Sequence, residues 1–313
     1  MGTSIRRKQI VQNMKIAMKQ YHWDFEEYFL FDYESLTNEE RLKFVPEYDK
    51  NVFCDSVNNS KQADIFYSKW ETYKVFREFF KRDAILVKGL ADTDSDNVNE
   101  FVKKHQSFIM KPINAACGKG IQLVRASSIE EAKNKLENVL KELNTPYIVE
   151  ELIVQSQDMA KLHPNSVNTI RITTINYGDE IEIIHPFMRT GQGGNFVDNG
   201  GSGGIIAAIN PNEGRVIAAI DELNHEYTEH PNSHEQLVGF MIPKWNEAIS
   251  FAKKLASVLP DIKYVGWDLA LTENGWVIVE GNDKGAFIGF QLPIHKGFKP
   301  ELDLIKKKLL NNI

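Results

Sequence analysis

The sequence WDLALTENGWVIVEGND at 267–283 constrains the fold most, because it places two apolar runs on either side of a turn. Asn followed by Gly is a strong hairpin signal, and we predict a three-residue loop over 273–275. This register sets Asp268 directly across from Glu280, with Cβ atoms about 5 Å apart. Side chains alternate along a strand, so Asn282 lies on the same face as Glu280. The opposite face is the predicted core face, formed by Trp267, Leu269, Leu271, Val277 and Val279.

The three polar side chains of this hairpin therefore converge on one patch. A carboxylate in apolar surroundings is costly unless it is paired or binds a metal. Two carboxylates almost in contact repel each other, whereas a hard cation such as Mg²⁺ prefers these oxygen ligands. The alternative is a pair of carboxylates at the solvated end of a hairpin, although solvated faces usually carry Lys, Ser and Thr as well.

The composition argues against several classes of protein. The chain has 313 residues, 42% of them hydrophobic, enough for one large domain or two to three smaller ones. A net charge of −6 lacks the excess of Lys and Arg that nucleic-acid binding requires. Its two cysteines, Cys54 and Cys117, indicate a reducing compartment rather than a disulfide framework. Because no apolar run reaches about 18 residues, we expect no membrane association and a cytoplasmic location.

Residue patterns divide the chain into three parts. Residues 1–82 have helical spacing and include a capping box from Thr37 to Glu40. Residues 83–153 alternate short apolar strands with amphipathic helices. Residues 154–313 contain a run of strands, a helix, the hairpin and a closing helix. Strands and helices grouped in this way predict an α+β fold rather than a doubly wound Rossmann fold.

A second motif, SFIMKPINAACGKGIQLV, places Lys111 at the end of a strand and ahead of a glycine-containing loop. Backbone N–H groups of such a loop can contact phosphate oxygens, while the lysine supplies a positive charge. The P-loop pattern is absent, and a strand rather than a helix follows the loop. A surface turn with lysines explains the motif equally well, so both interpretations remain open when it is taken alone.

In their order along the chain, these motifs resemble those of the ATP-grasp superfamily over roughly residues 65–292. The similarity is carried by SKWE, the Lys-Pro-Gly loop, VEEL and the spacing D-x(11)-E-x-N. It implies an ATP-grasp fold with a small α+β lid subdomain (83–153) and a larger antiparallel-sheet subdomain (154–313). The helical segment 1–82 stands in place of the usual N-terminal domain.

The resemblance also implies roles for individual residues. The nucleotide-binding positions are Lys69 with Lys74 as its alternative, Lys111, Gly118, Lys119, Gly120, Glu150, Glu151, Leu152 and Ile153, and, for the ribose, Gln157 or Asp158. The metal-binding positions are Asp268, Glu280 and Asn282.

Within the superfamily, SVNTIRITT and the glycine-rich stretch at 187–204 are similar to the sugar-transfer-associated branch, which is related to alpha-L-glutamate ligases. Many ATP-grasp ligases carry an Arg two residues before the first metal Asp, where this chain has Gly266. Arg171 and Arg189 are the candidates for its catalytic role, and Asn168 is a third catalytic candidate. Two further side chains are candidate contacts to the acceptor, Asn195 and Asn199.

The function implied is an ATP-dependent carboxylate–amine ligase that works through an acyl phosphate. Its cofactors would be ATP and two Mg²⁺ ions, with Mn²⁺ as an alternative. Its partners would be small-molecule carboxylates and amines, such as amino acids, uronic acids or sugar-linked compounds, and the family often forms homodimers. Two alternatives stay open: a phosphotransferase whose product keeps the phosphate, and a nucleotide-binding protein without turnover, the latter because of Gly266.

Overall fold

A computed structural model describes residues 2–115, 118–142, 145–194 and 203–311. The helices are α1 (Gly2–Tyr21), α2 (Phe25–Leu30), α3 (Asn38–Arg41), α4 (Glu47–Val57), α5 (Ser60–Ala63), α6 (Lys69–Phe80), α7 (Asp96–Lys104), α8 (Ile129–Glu142), α9 (Gln157–Ala160), α10 (Trp245–Val258), α11 (Ile288–Gln291) and α12 (Lys299–Asn311). The strands are β1 (Ala84–Val87), β2 (Phe108–Pro112), β3 (Gln122–Val124), β4 (Tyr147–Glu151), β5 (Thr169–Asn176), β6 (Ile181–Thr190), β7 (Ile205–Ile209), β8 (Val216–Ile220), β9 (Tyr264–Thr272) and β10 (Gly275–Asn282).

The N-terminal part is helical, as its spacing predicts. The capping box of Thr37 and Glu40 is confirmed, because each residue bonds the backbone of the other at the start of α3. Trp23 is fully buried in an aromatic cluster with Phe31 and Phe44. No helix among the described residues is long and apolar enough to cross a bilayer.

Two antiparallel sheets form the rest of the molecule. The smaller has the order β1-β4-β2-β3 and shares a core with α7 and α8. The larger has the order β10-β9-β5-β6-β7-β8. One of its faces packs on α10, and the other carries a second core shared with α4 and α12. The α+β arrangement predicted from the sequence is confirmed.

The turn between β9 and β10 is shorter than predicted. Thr272 pairs with Gly275, so Glu273 and Asn274 alone form the turn, and the predicted three-residue loop is wrong. The Thr272 hydroxyl donates to the Gly275 carbonyl over 2.8 Å and accepts from the Asn274 N–H over 3.2 Å, which closes the tighter turn.

A β-bulge corrects the register before the polar patch. Leu269 pairs with Ile278 and Asp268 pairs with Glu280, which leaves Val279 as the extra residue. The predicted pairing of Asp268 with Glu280 is therefore confirmed. The predicted face of Val277 and Val279 is wrong, because the shorter turn places Trp276 and Ile278 on the core face that packs with Trp267; Val277 is buried as well, but outside that cluster.

A second bulge lies in β6. Phe187 pairs with Arg171 and Ile184 pairs with Thr173, so His185 and Pro186 oppose a single residue of β5. His185 has φ 45°, a left-handed conformation that suits a bulge. The two bulges thus lie beside the strand positions that carry Arg171 and Glu280.

Candidate functional site

Asp268 lies in the middle of the large sheet, between two arginines. The Arg171 guanidinium donates to both of its carboxylate oxygens, over 2.8 Å to Oδ2, and Arg189 Nη2 lies 2.6 Å from Oδ2. Asp268 is only 2% exposed. Burial alone would raise its pKa, but the two guanidiniums outweigh burial and hold the pKa of Asp268 below its ordinary value.

Gly266 provides the space that Arg171 occupies. A Cβ at Gly266 would lie 3.1 Å from Arg171 Cδ and 3.2 Å from its Nη1. A Cβ at Gly285 would lie 2.9 Å from the same Nη1. The guanidinium therefore rests against two glycines, and a long side chain at 266 could not coexist with it in this position.

A second buried carboxylate, Glu150, also lies between two cations. Lys111 Nζ is 3.1 Å from Glu150 Oε1, while Arg82 Nε donates to Oε2 over 2.8 Å. Burial would raise the pKa of Glu150, yet Arg82 and Lys111 keep it below its ordinary value. For Lys111 burial is the larger effect, and it lowers the pKa of the ammonium despite the neighbouring carboxylate.

Lys69 connects the lid to the hairpin. Its Nζ lies 3.6 Å from Glu280 Oε1 and donates to the Ala115 carbonyl, and its backbone N–H donates to Ile113 O over 2.9 Å. Its alternative, Lys74, is exposed and pairs with Glu71 over 2.6 Å, away from these groups. The structure therefore brings Lys69, and not Lys74, to Glu280 on β10.

The loop after Lys111 contains two glycines in the left-handed region. Gly118 and Gly120 both have φ 73°, and a Cβ at Gly120 would lie 2.8 Å from Pro112. Lys119, between them, is exposed to solvent. Glycine is thus required here by conformation and by contact. These residues end the lid loop next to β3.

The residues predicted to bind adenine and ribose lie between the end of β4 and the start of α9. Glu150 and Glu151 end β4, and Glu151 accepts the Asp83 N–H over 3.1 Å. Leu152 and Ile153 follow as half-buried loop residues. The two ribose candidates, Gln157 and Asp158, begin α9 and are exposed. The Asp158 carboxylate pairs with Lys161 over 2.7 Å.

Asn168 occupies a different environment from the one predicted for a catalytic residue. It is fully buried, and its amide N–H group donates to Gln155 Oε1 and to the carbonyls of Met159 and His163. Its carbonyl accepts from Thr190 over 2.6 Å. This geometry ties β5 and β6 to the α9 region. The two asparagines of the glycine-rich stretch, Asn195 and Asn199, lie outside the described residues.

The donor set around the hairpin suits a magnesium ion. Glu280 is 39% exposed at its side chain, so its carboxylate can accept a ligand. The Asn282 amide offers an oxygen to a cation, and its buried Nδ2 has no hydrogen-bond partner within the described part of the chain. Asp268 keeps one lone pair on Oδ1, because Arg171 uses only one there. Carboxylate and amide oxygens are the protein ligands that Mg²⁺ prefers.

A small cavity of about 10 Å³ lies among these groups, lined by Phe66, Lys69, Thr72, Phe80, Glu150, Val279, Glu280 and Gly281. A wider open cleft of about 630 Å³ lies along β3 and α8 and reaches Asn165 and Gly194. That cleft contains none of the predicted site residues. The chemistry of the lining, rather than its size, therefore identifies the smaller cavity as the candidate site.

Comparison with known families gives a direct result. The model of the sugar-transfer associated ATP-grasp family matches residues 49–307. The chain belongs to this family. The sequence-based prediction of the superfamily, its branch and its fold is confirmed, and members of the superfamily are commonly ligases. No curated protein matches the sequence.

One solved structure agrees in fold. The VanG D-Ala:D-Ser ligase from Enterococcus faecalis gives a TM-score of 0.51 at 13% identity, over 80% of this chain and 64% of that one. The D-alanine–D-alanine ligase from Helicobacter pylori gives 0.45 at 15% identity, over 78% of this chain and 61% of its own. This chain thus spans less than two thirds of either ligase.

Sequence reasoning missed three contributors to the site. Arg82 follows a lysine at the end of α6 and precedes β1, where a charged pair is unremarkable in sequence. Gly285 contacts Arg171 only because the chain turns back after β10. Phe66, which lines the cavity, lies in the segment 1–82 that was predicted only to be helical. Only the Gly266 departure offered a signal, since a missing arginine implies a replacement nearby.

Proposed function

We propose that this ATP-grasp protein is an ATP-dependent carboxylate–amine ligase. The observation that carries the proposal is the charge of the site. Five cations (Lys69, Arg82, Lys111, Arg171 and Arg189) surround three carboxylates (Glu150, Asp268 and Glu280). A local excess of positive charge in a chain of net charge −6 suits a polyphosphate together with a substrate carboxylate.

The lid and the hairpin would hold the nucleotide between them. We assign Lys69 and Lys111 to phosphate oxygens, and the 118–120 loop to closure over them. The segment 150–153 would receive the adenine, and Gln157 or Asp158 the ribose. We retain the division into 1–82, 83–153 and 154–313 as the boundaries of the N-terminal segment, the lid and the larger subdomain.

Asp268, Glu280 and Asn282 would hold magnesium, as two ions or with Mn²⁺ in their place. When bound, the metal would neutralise charge on the transferred phosphate. Phosphoryl transfer needs positioning and charge neutralisation more than covalent help, and the residues assembled here provide both.

The reaction would proceed in two steps. A carboxylate oxygen of the acceptor attacks the γ-phosphorus, ADP leaves, and an acyl phosphate forms. The amine then attacks the acyl carbon, phosphate leaves, and the amine proton passes to solvent. Arg171 and Arg189 would bind the acceptor carboxylate and then the oxyanion of the tetrahedral intermediate. Asn168 would act by holding β5 and β6 in place.

Arg171 would take the role of the arginine that other ligases carry at position 266. Its guanidinium lies against Gly266 and contacts Asp268, two residues further along the same strand. The positive group would thus reach the same region from β5 instead of β9. This arrangement supports catalysis by a chain that lacks the usual arginine.

We propose amino acids, uronic acids or sugar-linked carboxylates as acceptors, with a small amine as the second substrate. We propose a homodimer as the assembly. ADP release measured with paired carboxylates and amines tests the proposal. We expect turnover that needs both substrates and Mg²⁺, and its loss in Lys111→Ala and Glu280→Gln. Lys74→Ala is the matched control, since Lys74 is exposed and pairs only with Glu71 among the described contacts.

Two outcomes would replace the ligase assignment. A phosphorylated acceptor that accumulates without any amine would identify a phosphotransferase. Mg²⁺-dependent binding of a nucleotide without ADP release, across all acceptors, would identify a binding protein without turnover.

A further inference from the structure

Arg82 is a buried arginine between the lid and the hairpin. Its side chain is 5% exposed. Nε and Nη2 both donate to Glu150 Oε2, and Nη1 donates to the Ile278 carbonyl of β10 over 2.5 Å. Its guanidinium also lies over the Phe80 ring, 4.6 Å from the ring centre. Every side of this cation is therefore in contact with protein.

The two cations on Glu150 use different oxygens. Arg82 contacts only Oε2, whereas Lys111 contacts Oε1 at 3.1 Å. Lys111 can therefore move away from the carboxylate without breaking either hydrogen bond from Arg82. Glu150 also lines the small cavity beside Lys69 and Glu280. A phosphate bound by Lys111 next to these groups would compete with Glu150 for the same ammonium.

If Lys111 moves to a phosphate, Glu150 loses one of its two cations, and Arg82 remains as the other. Glu150 is 2% exposed, and a buried carboxylate left without a cation is strongly unfavourable. Had Lys111 been its sole partner, transfer of the lysine to a phosphate would leave Glu150 unpaired and would weaken nucleotide binding. With Arg82 in place, the carboxylate keeps two hydrogen bonds from a guanidinium while the lysine moves.

We propose that Arg82 is a positioning residue that holds the charge of Glu150 and so frees Lys111 for the nucleotide phosphates. The inference rests on the proposed binding of ATP by Lys111. Arg82 also fixes the distance between the lid and the hairpin, because it bonds the Ile278 carbonyl next to the Val279 bulge that precedes Glu280.

A charge-rescue experiment tests this role. The affinity for a non-hydrolysable ATP analogue with Mg²⁺ is measured by calorimetry on wild type, Lys111→Ala, Arg82→Gln, Arg82→Lys, Glu150→Gln and the double variant Arg82→Gln/Glu150→Gln. Arg77→Gln is the matched control, because Arg77 is an exposed arginine of α6, the helix that ends just before Arg82. Thermal unfolding of each variant accompanies the titrations.

We expect Arg82→Gln to weaken binding at least about tenfold, because Glu150 then retains Lys111. Removing Glu150 as well should return most of that affinity, since no carboxylate remains to hold the lysine. A merely structural arginine would give the opposite result, with the double variant binding as weakly as Arg82→Gln or more weakly. If Arg82→Gln does not fold, Arg82→Lys replaces it, and its affinity should stay within about threefold of wild type.

The outcomes separate this inference from the proposed function. Failure of the wild type to bind, or equal binding by Lys111→Ala, would remove the nucleotide assignment and the role of Arg82 with it. Loss of binding in Lys111→Ala, with wild-type affinity in Arg82→Gln or no recovery in the double variant, would overturn the role of Arg82 alone. Recovery in the double variant with an unchanged Arg77→Gln would establish it.

Discussion

At the scale of single residues, a substitution of Asp268 would disturb its ion pairs with Arg171 and Arg189. Asp268→Asn keeps the shape but removes the charge that the buried Arg171 guanidinium bonds through both carboxylate oxygens. We expect the free energy of unfolding, measured with urea, to fall by about 3 kcal/mol. Asp158→Asn is the control: its ion pair with Lys161 is exposed, so its loss should change stability by less than about 1 kcal/mol. Equal losses in both variants would contradict the buried pairing.

A substitution at Gly266 tests the catalytic role that we propose for Arg171. In Gly266→Ala the new Cβ would press on Arg171 Cδ, which can yield by a few tenths of an ångström. We expect kcat to fall about tenfold because the guanidinium moves, while the affinity for ATP stays unchanged. Steady-state kinetics with both substrates measures kcat and the KM for ATP separately. Gly89→Ala should change neither, since its Cβ would meet nothing within 4 Å. A normal kcat in Gly266→Ala would argue against Arg171.

Glu150 gives a prediction about pH. Its pKa in the folded protein lies below the ordinary 4.5, because Arg82 and Lys111 outweigh burial. Its stabilising contribution is therefore fully present above the unfolded pKa and is lost as the pH falls through the lower, folded pKa. We expect Glu150→Gln to make the loss of stability below pH about 4.5 less steep. Urea midpoints from neutral to acid pH measure the slope, and parallel curves for both proteins would refute this.

At the scale of elements, the Val279 bulge is the feature most open to test. Deleting Val279 makes the pairs Leu269–Ile278 and Asp268–Glu280 consecutive, so a regular hairpin can still form. We expect the protein to fold, with the affinity for Mg²⁺-nucleotide about tenfold weaker because Glu280 is turned away.

The control for this deletion is Val279→Ala, which keeps the extra residue and should bind within about twofold of wild type. Circular dichroism and thermal unfolding establish that both proteins are folded before titration. Wild-type affinity in the deletion variant would mean that the bulge has no part in directing Glu280.

The hairpin also shows how far a sequence predicts an element. Alternation and the Asn-Gly signal correctly placed Asp268 opposite Glu280. The two-residue turn and the bulge were missed, and their errors compensate, because each shifts the register by one residue. The Asn-Gly signal does not show that the Thr272 hydroxyl closes a shorter turn, and the apolar alternation does not show where an extra residue is inserted. Arg82 was missed because its partners lie 68 and 196 residues away.

At the scale of the whole molecule, the N-terminal helices are joined to the segment that follows β10. Lys50 Nζ donates to the Lys284 carbonyl over 2.7 Å, and Asn58 Nδ2 donates to the Asp283 carbonyl over 3.1 Å. The Gln291 side chain bonds both the N–H and the carbonyl of Val45, over 2.7 and 2.9 Å. These contacts make the helical segment a wall of the larger subdomain, so we expect both to unfold together.

Gln291→Ala tests whether the N-terminal helices and the larger subdomain unfold together. The side chain is fully buried, and its loss leaves the Val45 N–H and carbonyl without partners in the interior. We expect the free energy of unfolding to fall by about 2–4 kcal/mol, in one transition that Trp fluorescence and far-UV CD report identically. The affinity of the folded protein for nucleotide should not change, because Gln291 does not line the cavity. Two separate transitions would show instead that the N-terminal helices detach before the sheets unfold.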